Sequence, residues 1–337
     1  MRDDDRLLNL PDIEYGSGVI GVCDICGIRQ AVIVLQKERF KLCVLDFLNK
    51  TWSKTKNPPG APLPPYRSER IWFPTAALSV GRAPALLLSP TRPVRHPIAL
   101  VTPDLYGITT SLLDAAIRLA KEGFEVMLPD LSKTEGIGPG QHWSLRAGAR
   151  FGGGVPASSP AVRTLTGLYA DALRTLRERE MVDPAKTALV GLSYGGSLAT
   201  VLASQEASIG ALAIAYPAPL NPPELPRLVT APVFLAFGGR DRTALRSRDQ
   251  WLDARRSAGV DLELLELPDA RGLYLSRDLR EYDLASAERT WSAMLAFLKG
   301  RLLPPPPKPP APRSAPDPLA PAAAKPSVTP AAAGASA

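Results

Sequence analysis

Between residues 71 and 303, short apolar runs alternate with longer amphipathic stretches, and that rhythm restricts the folds open to the chain. The strand-like runs are 75–80, 85–89, 98–102, 125–128, 187–190, 211–215, 233–237 and 261–267. Their continuous apolar character suits strands buried on both faces. The helical candidates between them are 111–122, 161–179, 196–205, 244–258 and 285–298. Alternation of this kind predicts a mostly parallel sheet with helices on both faces. The first two runs are joined by a short turn around Gly81 and are expected to pair antiparallel.

The rest of the chain divides by composition. Residues 1–52 hold all three cysteines and two short strand-like runs, 31–35 and 40–44. Residues 53–70, SKTKNPPGAPLPPYRSER, are polar, proline-rich and aperiodic, which reads as a linker. Residues 304–337 are a Pro/Ala-rich tail that cannot build a core and is expected to be extended or disordered. Of the net charge of +7, the tail from Arg301 supplies +3, with Arg301, Lys308, Arg313 and Lys325 against Asp317. The remainder is interspersed, so no basic stripe points to nucleic acid. No secretory signal and no run of about 20 apolar residues is present, which predicts a soluble, cytoplasmic chain with reduced thiols.

Within the stretch TALVGLSYGGSLAT, a strand-like run meets a helix-like one at Gly191-x-Ser193-x-Gly195. A tight turn there needs small residues on both sides, and it would lift Ser193 to the apex beside the helix N-terminus. Backbone N–H groups at that terminus can stabilise a developing oxyanion. The plainer reading is an ordinary strand-to-helix turn with a capping serine. Asp241 follows a strand-like run and a Gly-Gly turn, at the strand end where α/β sheets collect their sites. It serves equally as the N-cap of the helix beginning near Ala244.

From residue 75 to 301 the chain resembles the dienelactone hydrolase family of α/β-hydrolases. The resemblance rests on PALLLSPTRPVRHPIALVTPDLYGIT, SLLDAAIRLAKEGFEVMLPDL, VGLSYGGSLA and VFLAFGGRDRTA. It implies an α/β-hydrolase fold, with Ser193 as nucleophile and Asp241 as triad acid. By the same resemblance the Tyr194 and Leu105 N–H groups are the oxyanion donors. Asp104 stands where the family has a longer glutamate contacting nucleophile or substrate. The family writes His-Gly-Phe after the last strand; this chain has LPDARGLYLS, with Arg271 in the histidine position.

Arginine cannot take a proton from serine, because its pKa exceeds about 12. It is expected instead to pair with Asp241. Of the two histidines in the sequence, His96 reads as a surface or turn residue at the far end of its strand. His142 lies in the long excursion LSKTEGIGPGQHWSLRAGARFGGGVPASSP, of the kind that forms lids and binding loops. His142 is therefore the candidate surrogate base, the alternative being a lid histidine that packs or contacts substrate.

Cys23-x-x-Cys26 and Cys43-x-x-Asp46 have the spacing of a zinc-ribbon-like module. Three thiolates and a carboxylate would complete a tetrahedral structural site, whereas a small metal-free hairpin is the other reading. No cofactor is expected for catalysis. Two functions are compatible with these features. One is a serine hydrolase of a small ester or lactone acting through Ser193. The other is a catalytically inactive hydrolase fold that binds a ligand, or a protein partner through the N-terminal module or the tail.

Overall fold

The computed structural model describes residues 65–103, 108–130, 154–277 and 279–303, together with the backbone of three short strands nearer the N-terminus. These are β1 (Ile13–Tyr15), β2 (Ile33–Leu35) and β3 (Phe40–Leu42), which pair antiparallel with β2 in the centre. The chain divides into two units, Met1–Pro304 and Pro305–Ala337, and the second contains no described residues. Cys23, Cys26, Cys43 and Asp46 lie outside the described residues, as do Asp104, Leu105 and His142.

The main sheet has eight strands. In chain order they are β4 (Tyr66–Pro74), β5 (Arg82–Pro90), β6 (His96–Thr102), β7 (Glu125–Pro129), β9 (Val182–Leu192), β10 (Ala211–Ala215), β12 (Val233–Gly238) and β13 (Leu262–Leu267). They lie side by side as β13-β12-β10-β9-β6-β7-β5-β4. Strands from β13 to β7 run parallel, and β5 pairs antiparallel with both β7 and β4. A separate small pairing joins β8 (Val155–Pro156) to β11 (Leu220–Asn221). Every residue of β6, β7, β10 and β12 is buried, as continuous apolar runs require of strands covered on both faces.

The first strand corrects the sequence reading. Residues 75–80 do not form a strand; they belong to the turn between β4 and β5, closed by Thr75 N–H to Gly81 O and Gly81 N–H to Leu78 O. The strand is Tyr66–Pro74, which takes in the last five residues of the segment read as linker. It pairs antiparallel with β5, from Tyr66 opposite Pro90 to Pro74 opposite Arg82. The reason for the misreading is position. β4 lies at the end of the sheet order, so five of its nine residues are exposed and its sequence is half charged or polar.

Five α-helices are present among the described residues: α1 (Thr110–Lys121), α2 (Pro160–Arg177), α3 (Tyr194–Gln205), α4 (Arg242–Ala258) and α5 (Leu284–Leu302). Four of the five starts follow side-chain capping chemistry. Ser159 precedes Pro160 and accepts the Val162 N–H, and Asp283 accepts the Ser286 N–H. On one side of the sheet α2 packs against α3, and α4 joins them through the 3-10 turn Leu225–Leu228. On the other side, Arg118 of α1 grips Glu288 of α5 with both terminal nitrogens, at 2.6 and 3.2 Å.

Helix α4 carries Asp241 at its head, and its hold on the sheet comes from a narrow stripe. Ala244, Ser247, Trp251 and Ala254 are its buried residues, spaced three, four and three apart, so they form one face. Trp251 is the only large side chain of the four and is 1% exposed. Trp251→Ala should therefore destabilise the domain by about 3–5 kcal/mol in urea unfolding. A loss below about 1 kcal/mol would mean the helix is held some other way.

Candidate active site

The C-terminal end of β9 turns sharply into α3, and Ser193 is the corner residue. Its backbone has φ 53° and ψ −128°, a conformation that side-chain-bearing residues rarely adopt. The corner is held from three directions. Ser193 N–H donates to Ala215 O at the end of β10 (2.9 Å), and Ser193 O accepts from Gly196 N–H (3.0 Å). Buried Thr102, the last residue of β6, donates its hydroxyl to Gly195 O at 2.8 Å and approaches Val190 O at 3.2 Å.

The flanking glycines are demanded by space. A methyl group on Gly191 would fall 2.6 Å from Gly195 O and from Gly196 Cα; one on Gly195 would fall 2.4 Å from Thr102 O. Backbone atoms cannot yield to contacts that short. Ser193 itself is half-buried, and the Tyr194 backbone opens α3 directly after it. The Tyr194 side chain points into the interior, and burial pushes its phenol up to about 12. It stays protonated near neutrality and cannot act as a base.

Asp241 is placed by the neighbouring strand end. Gly238 and Gly239 close β12, and they lie so near the turn after β13 that methyl groups there would fall 2.4 Å from Ala270 O and 2.7 Å from Pro268 O. Arg240 N–H donates to Ala270 O at 3.0 Å, which fastens the two turns together. Asp241 then uses one carboxylate oxygen, Oδ1, to cap α4, accepting from Thr243 N–H (2.9 Å) and Ala244 N–H (3.1 Å). The other oxygen faces the turn: a methyl group on Gly272 would fall 2.6 Å from Oδ2. Both readings of this aspartate, helix cap and strand-end carboxylate, therefore hold in one residue.

Two expectations are overturned. Arg271 is exposed and forms no ion pair with Asp241; what its residue brings close to β12 is the backbone carbonyl, against Gly238. Asp241 Oδ1 caps α4 and Oδ2 faces the Gly272 backbone, while Arg271 is exposed. His96 is not a surface residue. It is 3% exposed, with Nδ1 2.9 Å from Gly123 O and Nε2 2.9 Å from Arg92 O. It opens β6 opposite Val182, so the length of β6, about 20 Å at about 3.3 Å per residue, separates it from the Ser193 end of the sheet.

Three residues around this end of the sheet carried no signal in the sequence. Thr102 clamps the corner. Tyr216 (φ 38°), directly after β10, and Leu273 (φ 63°), in the turn after β13, join Ser193 as the positive-φ non-glycine residues among those described. Tyr216 meets Tyr274 edge to face at 5.2 Å, and the Tyr274 hydroxyl lies 2.9 Å from Thr290 Oγ1. That contact seats the 271–274 turn on α5. A bulky side chain at positive φ is the choice least expected from composition, which is why no sequence rule finds it.

A parallel sheet with an antiparallel β4–β5 start, a strained serine where β9 enters a helix, and a carboxylate at the next strand but one define an α/β-hydrolase fold. Residues 83–302 match the model of the Dienelactone hydrolase family, and the chain belongs to that family. It is 26% identical over 214 residues to an Escherichia coli K12 protein named "Putative carboxymethylenebutenolidase", covering 60% of this chain and 76% of that one. Among solved structures it is similar to Dienelactone hydrolase from Anabaena variabilis, with TM-score 0.55, 17% identity, and 71% and 99% of the two chains covered. It is also similar to the Dienelactone Hydrolase-like Promiscuous Phospotriesterase P91 from metagenomic libraries, with TM-score 0.58, 20% identity, and 70% and 98% covered.

Backbone strain at the corner is directly measurable. Ser193→Gly removes a side chain from a conformation that glycine adopts freely, and it should stabilise the fold by about 1 kcal/mol in urea unfolding. Gly195→Ala should do the opposite, losing about 3 kcal/mol or more, because its methyl group meets a carbonyl oxygen. A Ser193→Gly variant less stable than the parent would show that the corner is unstrained.

Proposed function

We propose that the chain is a hydrolase of a small carboxylic ester or lactone that carries the acyl group on Ser193, at a rate far below that of a complete triad. The observation that supports this most is the Ser193 backbone, at φ 53° and ψ −128°. A serine that only capped a helix would have no use for such strain, and here its side chain makes no capping hydrogen bond. In the proposed reaction Ser193 Oγ attacks the carbonyl carbon while its proton passes to a base. The Tyr194 and Leu105 N–H groups receive the oxyanion, and the leaving oxygen recovers the proton. Water then cleaves the acyl-enzyme by the same route. Asp104 is assigned to substrate contact and Asp241 to the acid position.

The base is the weak element. Position 271, assigned to the triad histidine by resemblance, holds an arginine with no lone pair to offer. His96 is far from Ser193 and has carbonyl oxygens at both ring nitrogens, which leaves His142 as the histidine for the role. Loss of one triad member leaves a residual acceleration of about 10³–10⁴ over water. A second reading, an inactive fold serving as a ligand-binding or protein-interaction scaffold, draws its support from the exposed guanidinium at 271.

A fluorophosphonate probe separates the two. Labelling of the parent and not of Ser193→Ala is expected, with labelling lost in His142→Ala. No labelling between about pH 6 and 9 would favour the scaffold. A gain-of-function variant tests the assignment of position 271. Arg271→His places an imidazole beside the Asp241 turn, and p-nitrophenyl acetate hydrolysis should rise by about 10²-fold or more. No gain would remove position 271 from the catalytic scheme. We propose further that Cys23, Cys26, Cys43 and Asp46 bind a structural zinc. Elemental analysis of the purified full chain should find about one zinc per chain, and less than about a tenth of that would refute the assignment.

A further inference from the structure

A cleft lies at the opposite end of the sheet from Ser193, and none of the chemistry above uses it. It occupies about 710 Å³, within the range of small-ligand sites, where β4 begins, β5 ends, and β6, β7 and β9 start. Its floor is an ionisable side chain. Glu125 is 2% exposed and opens β7. Its Oε1 accepts from Ser89 Oγ at 2.8 Å and from Arg179 Nε at 2.7 Å. Its Oε2 accepts no hydrogen bond from a described residue, yet it is not sealed from solvent, so it opens into the cleft.

That oxygen is left to solvent, and a ligand donor in the cleft would take the place of water there. The strand registers add a second recognition element. Arg67 lies opposite Ser89 across the β4–β5 pair, and Ser89 reaches Glu125 on the next strand, so the three project on one face in a row. Arg92 is tied to the same corner by the Thr91 N–H bond to Pro65 O, and its carbonyl is held by His96. Arg67 and Arg92 both line the cleft and are exposed, and neither forms an ion pair among the described residues. Two strand spacings of about 4.8 Å separate the Arg67 and Glu125 backbones.

We propose that this cleft binds a small zwitterion, an ω-amino acid whose ammonium donates to Glu125 Oε2 and whose carboxylate is held by Arg67 and Arg92. The single open oxygen suits a point donor such as an ammonium better than a planar two-pronged guanidinium. The guanidinium forks at the other end match a carboxylate. Side chains on strands about 10 Å apart that form no ion pair with each other leave room for a short methylene chain between the two charged ends. A divalent cation fits poorly, because no group of three metal-ligating side chains exists among the described residues.

The test is calorimetric titration of the full chain with 6-aminohexanoate, using hexanoate and hexylamine as controls that each lack one charge. Saturable binding of the amino acid is expected, about tenfold or more tighter than either control. Arg67→Ala alters only an exposed side chain and should weaken binding about tenfold or more. Glu125→Gln, checked for an intact thermal transition, should do the same. Ser193→Ala should bind as the parent does. The proposal is overturned by an absence of binding up to about 10 mM, or by equal binding of a control. It is overturned equally if both cleft variants bind normally or if Ser193→Ala loses binding.

Discussion

The close packing of Gly195 against the end of β6 is the constraint on which the rest of this domain depends. A methyl group there would lie 2.4 Å from Thr102 O and 2.7 Å from Pro103 O, so β6, β9 and α3 meet at backbone contact. Thr102 converts that contact into a hydrogen bond to the carbonyl of the same glycine. With the corner fixed, Ser193 has no relaxed conformation available, and its strain is imposed by neighbours on both sides. The same logic recurs one strand pair away. Gly238 and Gly239 admit the turn after β13, and that turn positions the Asp241 carboxylate.

Much of the fold was legible in the sequence because its central strands are buried on both faces and therefore apolar throughout. Residues 211–215 read as a strand and form β10, and 233–237 form all but the last residue of β12. The elbow was legible for a related reason, since backbone contact excludes every residue but glycine at Gly191 and Gly195. β4 was not legible. An edge strand faces water over much of its length, so YRSERIWFP has the composition of a linker and reveals itself only through its partner.

The candidate site was legible in the corner glycines and in the strand-end place of Asp241, and illegible in its supports. Nothing in a lone threonine at position 102 announces a buried clamp, and nothing in Tyr216 or Leu273 announces positive φ. His96 misled for a similar reason. A histidine beside a turn reads as exposed unless the two carbonyls that receive its ring nitrogens are known, and those come from Gly123 and Arg92. The expected pairing of Arg271 with Asp241 failed because sequence position says which residues are near, not which way their side chains turn.

The double engagement of Asp241 has an evolutionary consequence. An aspartate that anchors the start of α4 is retained by the demands of folding, whatever becomes of the reaction. Gly191 and Gly195 are retained likewise, because chain packing forbids anything larger. Drift toward inactivity would leave such positions intact and would register first where a side chain has no structural duty. Position 271, exposed and unpaired with Asp241, is such a place in this chain.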